Sequence, residues 1–322
     1  MQSLSFDGER VVLAPGMLGA PPAGHVCIRS EWTQVSIGTE TAWIREHAAA
    51  RRPVALGYSH VGIIETIGPD VTGWEVGQRV LSCSAHASRV HARCDELVRV
   101  PDGLGADLAC IGVIGSIAYH IVQRAAPRML EATAVIGQGV VGSLVLQVAR
   151  ACGVDPLIAI DADASRLVLA RRLGAETIDA SREDVVERVR VITGGAGVSL
   201  CIEAANTAKV FASAIAMLAL RGRLITTSTV YAPVPIRIME DMIERELTIT
   251  GAHQPKCPAV ANAYHPWTQL GNRLAAMRAM RDGTLTVDAL ISHRERPADA
   301  PALYDRLIAG DRTIVGALID WR

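Results

Sequence analysis

The chain has 322 residues, 32 Lys and Arg against 33 Asp and Glu, a formal net charge of -1, and half of its residues are hydrophobic. That length holds two domains with ample core, and near-neutral charge with scattered arginines excludes the electrostatic footprint of a nucleic-acid or anionic-membrane binder. No apolar run approaches the roughly 18 residues of a membrane span, the start MQSLSFDGER lacks the build of a leader, and seven cysteines without paired spacing suit a reducing compartment, so a cytoplasmic location is expected.

In the first hundred residues, β-type runs at 10–13, 25–28, 61–67, 79–81 and 97–100 alternate with Pro and Gly turns, predicting a β-rich domain. From about residue 115 strands and helices alternate. The apolar run 132–136 leads into Gly137-Gln138-Gly139-Val140-Val141-Gly142. Val141, Leu144, Val145 and Val148 then recur at helical spacing, Gly153 closes the helix, and a second run, 157–160, ends in Asp161. This is a βαβ unit built for a dinucleotide. Gly137 allows the tight turn, Gly139 lets the backbone approach a pyrophosphate, and Gly142 lets helix and strand pack closely. The helix start at Val140 and Val141 supplies N–H donors, and the Asp161 carboxylate accepts the adenosine ribose hydroxyls. A 2'-phosphate would face Asp161 at close range, and Arg166 flanks the ribose rather than replacing the acid, so NAD is expected over NADP.

A helix at 165–173, a strand at 177–178, a helix at 183–192, strands at 198–202, 223–227 and 247–250, and a helix at 209–220 continue the alternation, predicting a parallel sheet covered on both faces. Ala204-Ala205 and Thr227-Ser228 follow apolar strands, so they fall at the carboxyl edge of that sheet, where ligands bind and small side chains leave room for a nicotinamide. Beyond residue 253, two helical stretches and a terminal strand at 313–319 are expected to pack back on the first domain, giving domains 1–114 with 253–322, and 115–252.

Ser36-Ile37-Gly38-Thr39-Glu40, Gly57-Tyr58-Ser59-His60-Val61-Gly62, the glycine-punctuated run from 67 to 80, Val100-Pro101-Asp102-Gly103 and Ala118-Tyr119-His120 together resemble the medium-chain dehydrogenase/reductase superfamily, which includes zinc-type alcohol dehydrogenases. They look most like its zinc-lacking branch that includes bacteriochlorophyllide hydroxyethyl dehydrogenase. The resemblance implies an α/β chain with a GroES-like β-rich catalytic domain, a Rossmann doubly wound parallel sheet and an active cleft between them. It also implies a homodimer through 247–250, a relay hydroxyl at Thr39, and Ser116 and Ile117 beside the nicotinamide. In zinc-type members the positions of Ile37 and Tyr58 are ligands, the third falls near Val113, and Ser59 stands where a glutamate supports the site. None of these side chains repeats the inherited set, and the four-cysteine lobe is absent, so no metal is expected.

Without zinc, side chains must handle the proton that accompanies hydride transfer. Tyr58 and His60 are the leading pair, because alternation on a strand would point both to one face. Glu40 is a candidate base or a structural support. Cys83, His86, His91 and Cys94 have metal-like spacing, but they converge only if the backbone turns at both pairs. His253, Tyr264, His265 and Trp267 line a bulky substrate pocket or are simple packing. The expected function is NAD(H)-dependent, zinc-independent interconversion of a small-molecule alcohol and ketone, in specialised biosynthesis, with no nucleic-acid or membrane partner. An enoyl or quinone reductase and a noncatalytic NAD(H)-binding protein are the alternatives.

Overall fold

The computed structural model describes all residues except 229 and 231. Its class is the expected α/β, in two compact units: Met1–Ser116 with Thr268–Arg322, and Ile117–Trp267. Residues 253–267, placed by sequence with the first domain, cluster with the second. Cys257 and His265 meet His120 there, which moves the later boundary from 252 to 267.

In the first unit the eleven-residue strand His25–Val35 is the spine of a seven-stranded sheet. It pairs antiparallel with His60–Ile67, Arg89–Arg93 and Ala317–Asp320, so the C-terminal strand does return to the N-terminal sheet. A smaller antiparallel sheet joins Val11–Pro15, Gln2–Phe6 and Val54–Ala55. Leu4, Phe6, Ile44, Leu56, Tyr304 and Leu307 pack beneath it as one buried cluster. At about 1.5–3 kcal/mol per fully buried large apolar side chain, this cluster is what holds helices Ile37–Ala50 and Ala300–Ile308 to the sheet.

Two elements differ from the sequence reading. Helix Ile37–Ala50 has no apolar stripe, because its inward face carries Glu40 and Thr41 beside Ile44, so hydrophobic periodicity does not announce it. Strand Arg89–Arg93 is not among the β-type runs named from the sequence, and His86 lies outside it, its amide donating to the Leu56 carbonyl at 2.8 Å.

The second unit is a six-stranded parallel sheet. Its spatial order is Glu176–Asp179, Leu157–Asp161, Thr133–Ile136, Val198–Glu203, Leu218–Thr226, Thr248–Gly251. The strand order reverses at Thr133–Ile136, which makes its carboxyl end a topological switch point, the usual ligand position in such sheets. Ile136, Ile158, Ile160, Ile178, Cys201 and Leu224 fill the interior. Among the described residues no helix is long and apolar enough to cross a membrane.

Candidate active site

The glycine turn sits at the switch point. Strand Thr133–Ile136 ends in Gly137, whose φ of 87° lies in the left-handed region, and helix Val140–Ala151 starts with Gly139 as its N-cap. A Cβ on Gly142 would stand 1.7 Å from the Gly137 carbonyl oxygen, so no larger residue fits. One on Gly139 would meet nothing nearer than the Arg166 guanidinium at 4.0 Å. The helix start therefore opens on a space flanked by a cation, which suits an anionic pyrophosphate.

Asp161 is buried at the end of the neighbouring strand. Its Oδ2 accepts the Gln138 amide at 2.7 Å and its Oδ1 the Asp163 amide at 2.8 Å. These bonds fix the carboxylate against the turn, and a carboxylate retains further lone pairs for ribose hydroxyls. Ala204 and Ala205 follow Val198–Glu203 directly, and their geometry is set by a residue the sequence reading passed over. Glu203, fully buried, accepts the Ala205 amide at 2.7 Å and the Ser228 hydroxyl at 2.6 Å on Oε1, and the Thr226 hydroxyl at 3.2 Å on Oε2. Thr227 donates its amide to the Glu203 carbonyl at 3.2 Å. A carboxylate closing the apolar run 198–202 was the available signal. Ser116, on helix Gly112–Ala125 with Ile117, is buried and its hydroxyl donates to the Val113 carbonyl at 2.6 Å.

The first unit gathers a different group. Tyr58 lies in the loop before strand His60–Ile67. Its phenol donates to Ser36 Oγ at 2.6 Å, Thr39 Oγ1 lies 3.5 Å away, and its ring leans on Trp43 with centroids 5.9 Å apart. Burial pushes its pKa above the usual tyrosine value, against the opposing pull of the Ser36 and Thr39 hydrogen bonds. The phenol is thus held in its protonated, donor form.

The expected Tyr58–His60 pair does not form. Residues 56–59 are not strand, so strand alternation does not govern Tyr58. The His60 ring is buried between Ser30 Oγ at 2.7 Å and Ser82 Oγ at 3.0 Å. Burial, reinforced by His86, drives its pKa down to about 3, which leaves a neutral imidazole at pH 7, without the imidazolium proton that a general acid would give up. Glu40 turns inward. Fully buried, it accepts the Ser36 amide at 2.6 Å, the Tyr304 hydroxyl, and His86 Nε2 at 3.2 Å, so its oxygens face the protein's own donors. Ser36, His86 and Tyr304 escaped the sequence reading because they converge from distant parts of the chain.

The inherited zinc positions do not fit the metal. Ile37 and Val113 carry no ligand atom, and one phenol oxygen is too few for an ion that takes three or four N, S or O ligands. The Ser59 hydroxyl bonds the Cys110 carbonyl, and Cys110 Sγ the Asp107 carbonyl at 3.1 Å. Cys83, His86, His91 and Cys94 do not gather either: His86 faces Glu40, His91 bonds the Gly19 carbonyl at 3.1 Å, and Cys83 is exposed. Of the returning segment, Tyr264 is 98% exposed, whereas His265 stacks on His120 with centroids 5.7 Å apart and meets the Trp267 edge at 5.4 Å.

Two family models match the chain: an alcohol dehydrogenase GroES-like domain over residues 22–133 and a zinc-binding dehydrogenase over residues 140–269. An alcohol dehydrogenase of Cupriavidus necator is 25% identical over 332 aligned residues, covering 87% of each chain. L-threonine 3-dehydrogenase of Bacillus subtilis is 29% identical over 250 residues, 68% of this chain and 71% of that one. The solved structure of galactitol-1-phosphate dehydrogenase from Escherichia coli aligns with a TM-score of 0.86 at 18% identity, over 99% of this chain and 100% of the other, a likeness of fold. Models that meet in the middle of the chain, relatives that run through both units and the switch-point turn carry one assignment: the chain belongs to the medium-chain dehydrogenase/reductase superfamily and is an oxidoreductase.

Proposed function

We propose that the protein is an NAD(H)-dependent reductase of the superfamily's zinc-lacking branch, interconverting a small organic ketone and its alcohol with Tyr58 in charge of the proton. The observation that carries this reading is the Tyr58 phenol itself. It stands where zinc-type members hold a ligand, and it is hydrogen-bonded to Ser36, approached by Thr39 and kept protonated by burial. Bound NADH supplies the hydride. The Tyr58 hydroxyl then gives its proton to the developing alkoxide, and the Ser36 and Thr39 hydroxyls offer the path by which it is replaced. The protonated phenol serves the reductive direction as the acid, and in the oxidative direction the phenolate accepts the alcohol proton. NAD rather than NADP is the choice that Asp161 supports, its carboxylate pinned at the strand end.

Tyr58→Phe tests the reading: kcat should fall by about 10² to 10⁴ with the NADH dissociation constant little changed. A fully active Tyr58→Phe enzyme overturns the role of Tyr58. A panel of ketones and enones decides between ketone and enoyl reduction. A cytoplasmic homodimer joined along Thr248–Gly251 belongs to the same proposal. That strand ends the six-stranded sheet, and Ile238, Met239 and Ile243 just before it are exposed.

A further inference from the structure

We propose that His120, Cys257 and His265 form a binding site for a thiophilic divalent cation, zinc by its ligand chemistry, at a place unrelated to the inherited zinc positions. One nitrogen from each histidine and Cys257 Sγ all lie within 4.8 Å of one another. In a tetrahedral zinc site, bonds of about 2.0–2.3 Å put neighbouring ligand atoms roughly 3.3–3.8 Å apart, so closure takes about an ångström of side-chain movement.

Two features go beyond proximity. His120 is 3% exposed, and its Nδ1 is buried without a hydrogen-bond partner; His265 Nε2 is in the same condition. A buried polar atom normally has a partner, and two imidazoles with unpartnered nitrogens gathered with a thiol are a ligand set suited to a metal ion. Further, His265 Nδ1 lies 3.0 Å from the Trp267 carbonyl. A carbonyl can only accept, so this contact puts the proton on Nδ1 and leaves the Nε2 lone pair for a ligand. Metal-binding histidines are commonly oriented in just this way by a backbone carbonyl.

Binding a divalent ion releases the Cys257 thiol proton to solvent and forms a sulfur–metal bond and two nitrogen–metal bonds, leaving one net positive charge. Half-buried His265 leaves the fourth position to water. The ion would tie the segment that leaves strand Thr248–Gly251 to helix Gly112–Ala125.

The test uses the full chain, stripped with a chelator and dialysed, then titrated with cobalt(II) as the probe and with zinc as competitor. The proposal expects one equivalent of cobalt, a thiolate-to-cobalt charge-transfer band, and bleaching of that band by zinc. Cys257→Ser should abolish the band and weaken zinc binding by about 100-fold or more. His120→Asn and His265→Asn should weaken binding by at least about tenfold. Cys83→Ser and Cys152→Ser, which alter exposed thiols elsewhere, should keep the band. Absence of one-to-one binding, or a band that survives Cys257→Ser, overturns the site. Should Cys257→Ser fold poorly by circular dichroism, His265→Asn gives the same decision. Tyr58→Phe should keep the band whatever its activity, so this inference and the proposed function fail separately.

Discussion

Protonation of His60 should set the acid limit of the first unit. In the folded protein its ring is wholly buried and its pKa is about 3, against the ordinary 6.5. Between those values the unfolded chain binds a proton that the folded chain refuses, so stability is complete above about pH 6.5 and declines as pH falls toward 3. The slope is about 1.4 kcal/mol per pH unit, so His60 alone should remove on the order of 2 kcal/mol between pH 7 and pH 5. His60→Gln keeps an amide able to hydrogen-bond Ser30 but does not titrate. Urea unfolding followed by tryptophan fluorescence at pH 7, 6 and 5 should show the wild type losing about 2 kcal/mol more than the variant over that range. Equal losses in both would refute the buried neutral imidazole. The same argument excludes His60 from turnover control: the reductive pH–rate profile should show no inflection attributable to its ionisation near neutrality, and one that vanishes in His60→Gln would restore the histidine as a relay.

Asp161→Ser should narrow the preference for NADH over NADPH. Like charges at about 4 Å and an effective dielectric near 20 repel by roughly 4 kcal/mol before relaxation, and an unchanged ratio of the two dissociation constants would show that the carboxylate does not select the cofactor. Tyr304→Phe should lower the first unit's stability by about 1–3 kcal/mol, because it removes a donor from the buried Glu40 carboxylate. An unaltered melting temperature would mean that Glu40 does not depend on that hydroxyl.

The dinucleotide half was legible because its signals are local. Glycine spacing, a strand on each side and Asp161 all fall within thirty residues, and backbone geometry alone dictates where each residue goes. The surroundings of Tyr58 were legible only in part. Tyr58 and Thr39 do meet, but assigning Tyr58 to a strand supplied a His60 partnership that a loop does not allow. Helix Ile37–Ala50 hides because its inward face is polar, and Glu40 makes sense only once Tyr304 arrives from the far end of the chain. The His120, Cys257, His265 cluster leaves no spacing pattern at all, since a helix and a remote segment each contribute.

Glu203 illustrates how unforgiving a single interior acceptor can be. Among the described residues, the groups hydrogen-bonded to its carboxylate are donors: an amide from residue 205 and hydroxyls from residues 226 and 228. Glutamine has nearly the same shape, yet one of its two ends is an NH₂ that would oppose the Ala205 N–H or compel a hydroxyl to turn around. Position 203 therefore calls for a side chain that accepts at both ends rather than one of the same volume. Losing an acceptor there would loosen 204–205 and 226–228 together, so two neighbouring strand ends answer to one side chain.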